Sequence, residues 1–297
     1  MARKQPIQQD IFRQLDRLSF VSRRPARAGA GGEHVSRRPA PSTDFVDYRA
    51  YVPGDDFRRI DWNVYGRLGS LHVKVTEGRE RLEVVLVLDC SSSMDYGDPG
   101  KLDFATQLVA ALAYVGASRA DGVRIACLSP VQPDGWRSGP FRRRARVPEL
   151  VQQLSTLAPA GLVDINAGLA ACIPPEVSGN SLVVVVSDLL TPGGSVGGLE
   201  AVRARVADVA VLHVVSPEEL DPGLSGEVEL IDAESGAAIE LGVSLETLAA
   251  YRRRVAEWLD AREADCRRRG MRYIRVRTDQ PVNVVVLDDL RRGGLVR

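Results

Sequence analysis

Apolar positions along this chain follow two rhythms, divided near residue 82. Beyond that point, short Val-rich runs alternate with stretches of helical periodicity. EVVLVLD (83–89) is a continuous apolar run closed by a turn cluster, the signature of a strand buried on both faces. KLDFATQLVAALAYVGASRA (101–120) predicts a helix and GVRIACLS (122–129) the next strand. The polar stretch 132–140 predicts a short edge strand, and helices follow over 146–157 and 165–172. SLVVVVSD (181–188) is the plainest strand of the chain. A helix over 197–206, the strand DVAVLHVVS (208–216), a helix over 244–269, the strand MRYIRVRT (271–278) and a short helix near 282–291 complete the series. Two alternating runs around Glu-Ser-Gly predict a hairpin over 226–241, inserted at one edge. Strand and helix alternating in this way imply right-handed crossovers and an α/β fold: a doubly wound, mostly parallel sheet with helices on both faces.

Before residue 82 the pattern differs. Ile7, Ile11, Leu15 and Leu18 recur at helical spacing and predict an amphipathic helix over 6–20. Its apolar stripe, with Arg13 and Arg17 beside it, suits docking on its own chain or a partner, and also a weak peripheral contact with a membrane surface. Residues 22–43 fill with Arg, Pro, Gly and Ala and read as a mobile linker. Residues 44–81 concentrate Tyr48, Tyr51, Trp62 and Tyr65 among the charges of PGDDFRRIDWN, and are expected to pack on the sheet, with Arg58, Arg59 and Asp61 in local ion pairs. The expected organisation is therefore a helix and basic arm (1–43), an aromatic block (44–81) and an α/β domain (82–297).

Composition narrows the function classes. The 297 residues are 44% hydrophobic and 26% charged, ordinary for a soluble globular chain, and the formal net charge is zero. Arg23, Arg24, Arg27, Arg37 and Arg38 surround the linker without interleaved aromatics, which together with neutrality argues against nucleic-acid binding. The four cysteines are scattered with no CxxC pair, there is no apolar leader core, and no apolar run approaches the ~20 residues of a membrane span. A soluble cytoplasmic protein is the expectation. GxxxxGK[ST] is absent, so the chain carries no P-loop, and the DCSSS serines lack the G-x-S-x-G elbow that presents a hydrolase nucleophile. The Gly pairs at 193–194 and 197–198 read as turn punctuation, the RRRAR run at 142–146 as an exposed face, and His213, inside an apolar strand, as a core histidine.

In an open parallel sheet, ligands bind where strands end and loops diverge. Two strands here end in Asp: VVLVLD-CSSSM presents Asp89, Ser91 and Ser93 as DxSxS, and VVVVSD presents Asp188. A carboxylate followed by hydroxyls two and four positions on can curl round one point, an all-oxygen set that suits Mg2+ or Mn2+. Cys90 falls between them and should point away. The alternative is turn and helix-capping chemistry, which uses the same residue types.

DxSxS at the end of the first strand resembles the metal-ion-dependent adhesion site of von Willebrand factor A domains. GEHVSRRP, DFVDYRAYVPGDDFRRIDWNVYGRLGSLHVK, LIDAESGAAIE and YIRVRTDQPV…LDDL resemble the bacterial group called domain of unknown function 58, over residues 30–297. The resemblance implies a von Willebrand factor A-like, Rossmann-like sheet carrying one divalent cation, with a partner's carboxylate as its last ligand. It also implies a non-enzymatic adaptor working with a MoxR-type AAA+ ATPase, or with a client protein delivered to it. The second loop of such sites normally reads Gly-Gly-Thr-Asp; here it is Gly161-Leu162-Val163-Asp164, so a hydroxyl ligand is replaced by Val163, leaving Asp164 or water to compensate. Weak binding of Mg2+ or Mn2+ by Asp89, Ser91, Ser93, Asp164 and Asp188 is the expectation. A metal-free scaffold with a degenerate site is the alternative. A metal-dependent phosphoester hydrolase is disfavoured because Ser91 stands where a second carboxylate would be needed.

Overall fold

The computed structural model describes residues 14–22, 43–55, 57–78, 82–129, 136–191, 194, 196–232 and 236–297. The start of the expected N-terminal helix and most of the basic arm lie outside these residues. The chain divides into two compact units, residues 27–81 and residues 1–26 with 82–297.

In the smaller unit, β1 (Thr43–Ala50) pairs antiparallel with β2 (His72–Gly78). Between them runs the short helix α1 (Trp62–Leu68). Its boundaries are written in local chemistry. The Asp61 carboxylate, expected in ion pairs, caps the helix by accepting from the amides of Asn63 and Val64 at 2.9 and 3.3 Å, and also accepts from the Tyr48 hydroxyl at 2.9 Å. Gly69 ends it in the left-handed conformation, φ 67°. Arg49 pairs with Asp55 through both nitrogens, and the Arg58 guanidinium lies 5.9 Å over the Phe57 ring.

The larger unit is built on a six-stranded sheet in the order β10-β7-β6-β3-β4-β5. Its strands are β3 (Glu83–Asp89), β4 (Gly122–Leu128), β5 (Trp136–Phe141), β6 (Gly179–Ser187), β7 (Val206–Val215) and β10 (Arg272–Arg277). All neighbours are parallel except edge strand β5, which runs antiparallel to β4. Val, Ile and Leu fill both faces because both are covered. Val84, Leu86 and Leu88 enter one apolar layer with α2 (Lys101–Ser118) and α3 (Val147–Leu154). Val85 and Val87 enter the other, with α4 (Ile165–Cys172) and α5 (Val196–Arg205).

Helix α2 is apolar nearly all round because it is covered on its outer side as well. Leu15, Leu18 and Phe20 are buried in the same layer, and the Phe20 segment pairs with Val296 near the C-terminus. Thus the described end of the expected amphipathic stripe docks on its own chain. Gly116 permits the approach: a Cβ there would sit 2.6 Å from Val123 Cγ2 and 3.3 Å from the Phe20 ring.

Gly197 and Gly198 lie within α5 and not in a loop. A Cβ on Gly198 would fall 2.6 Å from Asn166 Cα, so the close crossing of α4 and α5 is what calls for glycine. The expected hairpin is a separate two-stranded sheet, β8 (Gly226–Ile231) with β9 (Ala238–Val243). It leads into the long helix α7 (Leu245–Arg268) and is preceded by the single-turn α6 (Pro217–Leu220).

Candidate carboxylate site at the sheet switch point

Chain direction across the sheet reverses between β3 and β6, since the connection after β3 leads to β4 on one side while β6 and β7 lie on the other. Such a switch point opens a crevice at the carboxyl ends of the two strands. The register pairs Leu88 with Val186, so Asp89 stands beside Ser187 and Asp188 follows immediately. Both aspartates are buried.

Asp89 is held by short bonds. Its Oδ2 accepts from the Ser187 hydroxyl at 2.6 Å, and its Oδ1 from the Ser91 amide at 2.9 Å. The Ser91 and Ser93 hydroxyls are 2.9 Å apart, both buried, so DxSxS curls as its spacing suggests. Cys90 points into the α2 layer, away from the crevice. Burial and then the Asp188 charge push the Asp89 carboxyl up to about 6, against the opposing bonds from Ser187 and Ser91. Leu189, next to Asp188, has φ 58°, a left-handed conformation that is costly for a branched residue. Its buried side chain and the bond from its amide to Ser187 Oγ at 2.9 Å hold it there.

Asp188 has a partner absent from the sequence reading. Lys101, wholly buried at the first position of α2, donates to Asp188 Oδ2 at 2.6 Å and to Glu219 Oε1 at 2.5 Å. Burial alone would lower its pKa, but the two carboxylates outweigh that and raise it. Glu219 is oriented by a capping box on α6, in which Ser216 Oγ accepts from the Glu219 amide and Glu219 Oε2 accepts from the Ser216 amide. One ammonium therefore serves two carboxylates, Asp188 and Glu219, while Asp89 is held by the Ser187 hydroxyl and the Ser91 amide.

Ser216-Pro-Glu-Glu219 was legible as a capping box, and a lysine in a helix's first turn, at the wrong end of the dipole, was the faint signal for Lys101. Nothing in the sequence linked residues 101, 188 and 219.

The second loop is laced to the first by Ala160 N to Cys90 O and Ser92 N to Gly161 O, both 2.9 Å. Val163 is buried in the apolar layer with Ile165 and Leu169. The Thr191 hydroxyl, from the loop after β6, donates to the Val163 carbonyl at 2.9 Å. Asp164 is exposed and caps α4, its Oδ1 accepting from the amides of Asn166 and Ala167. Among the described residues no group of three His, Cys, Asp or Glu converges as a metal-holding set. The oxygen atoms that do converge are those of Asp89, Ser91 and Ser93, two of them hydroxyl. His213 is the core histidine expected: its Nδ1 lies 2.6 Å from the Tyr273 hydroxyl, and burial pulls its pKa down to about 3.

Fold and site together define an α/β protein with a mostly parallel sheet and a buried carboxylate–hydroxyl cluster at the switch point. The chain belongs to the family described as "Protein of unknown function DUF58", whose model matches residues 47–262. Uncharacterised proteins of Mycobacterium bovis and Mycobacterium tuberculosis are each 32% identical to it over 219 residues, covering 71% of this chain and 67% of theirs. Among solved structures, the conserved hypothetical protein BatB from Bacteroides thetaiotaomicron aligns at 16% identity and a TM-score of 0.43. An aerotolerance-related membrane protein from Bacteroides fragilis aligns at 19% and 0.44; each alignment covers 71% of this chain and 98% of the other. Among the described residues no helix is long and apolar enough to cross a membrane.

Proposed function

We propose that this chain is a non-enzymatic, cytoplasmic binding protein with a von Willebrand factor A-like domain, whose β3–β6 crevice takes a divalent cation and through it a carboxylate of a partner protein. The observation that carries this reading is the meeting of Asp89 and Asp188 beside the paired hydroxyls of Ser91 and Ser93, in a cluster whose ammonium, Lys101, is bonded to Asp188 and Glu219. The donor set is all oxygen, which fits Mg2+ or Mn2+ and not a thiolate-seeking metal. Asp89, Ser91 and Ser93 would hold the ion, with Asp188 alongside and Asp164 on the neighbouring loop. A bound cation would supply positive charge at Asp89 and an open position for an incoming oxygen. The partner class, a MoxR-type AAA+ ATPase or its client, comes from the family resemblance. The absence of a second carboxylate at position 91 supports binding over phosphoester hydrolysis.

The test is calorimetric titration of Mg2+ and Mn2+ into chelator-treated protein, wild type beside Asp89→Ala. Saturable heat lost in the variant supports the site; no heat and an unchanged melting temperature in excess metal would sink it. A metal-free scaffold is the second reading, favoured by Lys101, which already gives Asp188 a cation, and by Val163 in place of a hydroxyl. It expects Asp89→Ala to alter stability alone and leave partner capture intact.

A further inference from the structure

Beside the switch point, a cavity of about 360 Å3 opens between the ends of β6 and β7 and the first half of α7. That is the lower part of the ~300–1,000 Å3 range of small-ligand pockets. Its walls are Leu190, His213, Tyr251, Val255, Trp258 and Leu259, with Asp188, Glu219 and Arg254 as the charged lining. His213 and Trp258 meet edge to face at 5.2 Å, so the wall is aromatic and packed.

The polar groups of this lining are nearly all spent. Asp188 accepts from Lys101 and the Leu190 amide, and Glu219 from Lys101 and the Ser216 amide. His213 is held by Tyr273 on one side and the Asp188 main chain on the other, and the Tyr251 hydroxyl donates to the Glu219 carbonyl at 2.8 Å. Two side-chain donors remain without a hydrogen bond among the described residues, the exposed Arg254 guanidinium and the Trp258 indole N–H. Lys101 and Arg254 together balance Asp188 and Glu219, so the pocket does not repel an anion as a whole.

We propose that this cavity binds an apolar, aromatic-sized group bearing a carboxylate, the apolar body against Trp258, Tyr251 and Leu259 and the carboxylate on Arg254. Two sources share that chemistry, a free small acid and the C-terminal residue of a peptide chain. The proposal does not depend on a cation at Asp89.

The test is calorimetric titration of 3-phenylpropionate into the full chain in the presence of chelator, beside 3-phenylpropan-1-ol. The acid is expected to bind saturably, with the alcohol about tenfold weaker or worse, and Arg254→Ala weaker by a similar factor. Val255→Trp, which fills the cavity, should abolish binding of both. The proposal is overturned by absent saturation, by equal affinity of acid and alcohol, or by an Arg254→Ala variant that binds normally. Ala-Ala-Phe and its C-terminal amide separate the sources: binding of the free peptide but not the amide assigns a chain end, and binding of phenylpropionate alone assigns a small acid. Because chelator is present throughout, failure here is distinct from failure of the cation site.

Discussion

Replacing Lys101 with Met is the sharpest perturbation of the crevice. The side chain is wholly buried, and its ammonium lies 2.6 Å from Asp188 and 2.5 Å from Glu219. At an effective dielectric of ~20, each contact corresponds to about 6 kcal/mol of Coulomb attraction, offset by several kcal/mol for desolvating the ammonium. The net value of the intact cluster is therefore small, but removing one member is not. Methionine fills most of the volume and leaves Asp188 buried with the Leu190 amide as its remaining hydrogen bond. An uncompensated buried charge costs roughly 3–5 kcal/mol, which lowers the melting temperature by roughly 10 °C at ~2–4 °C per kcal/mol. The assay is urea unfolding followed by far-UV circular dichroism at pH 7.5 in chelator, on wild type, Lys101→Met, Asp188→Asn and the double variant. With the stranded charge neutralised, the double variant should recover part of the loss, giving a coupling of about 2 kcal/mol or more. A Lys101→Met protein within about 0.5 kcal/mol of wild type, or strict additivity of the two changes, refutes the reasoning.

Other expectations follow from equally local features. His213, with its pKa lowered to about 3, stays neutral in the folded chain while the unfolded chain takes up a proton below about 6.5. The unfolded state then binds more protons, so stability is lost as pH falls from about 6.5 towards 3, at up to about 1.4 kcal/mol per pH unit from this group. His213→Gln should remove that slope in denaturant titrations at pH 7, 5.5 and 4.5, and parallel profiles for the two proteins would refute the assignment. Gly198→Ala should lose roughly 1–3 kcal/mol because its Cβ meets Asn166 backbone, whereas Gly197→Ala, with 3.6 Å to Asn166 Oδ1, should cost little; equal effects in thermal melts would contradict the crossing argument. Leu15→Ala should cost about 2–5 kcal/mol as a core truncation, and a shift under about 0.5 kcal/mol would detach residues 14–22 from the core.

Much of this protein is legible along the chain because burial on both faces of a parallel sheet leaves a local signature. The runs at 83–89, 122–128 and 181–187 needed no tertiary information to read as strands, and the Ser-Pro-Glu-Glu cap and the Asp61 and Gly69 boundaries of α1 are likewise local. The two aspartates at strand ends were also visible, since a strand's last residue and the rule about carboxyl edges suffice to nominate them. The smaller unit's strands are not legible in the sequence, because β1 mixes charges and aromatics without clean alternation and β2 offers only the short Val73 and Val75 alternation. The Gly197–Gly198 pair was misread as a turn because its reason is the passing of another helix.

By itself, then, the sequence determined the α/β alternation, the strands that end in Asp89 and Asp188, and the DxSxS curl, all of which depend on neighbours a few residues apart. Only the tertiary structure decided which charges meet. Lys101, Asp188 and Glu219 are separated by 87 and 118 positions from the lysine and are joined by the order of strands in the sheet. The same folding encloses the aromatic cavity beside them and buries Val163 in an apolar layer. Electrostatics act through distance in space, and the reversal of strand order at the parallel pair β3 and β6 sets those distances.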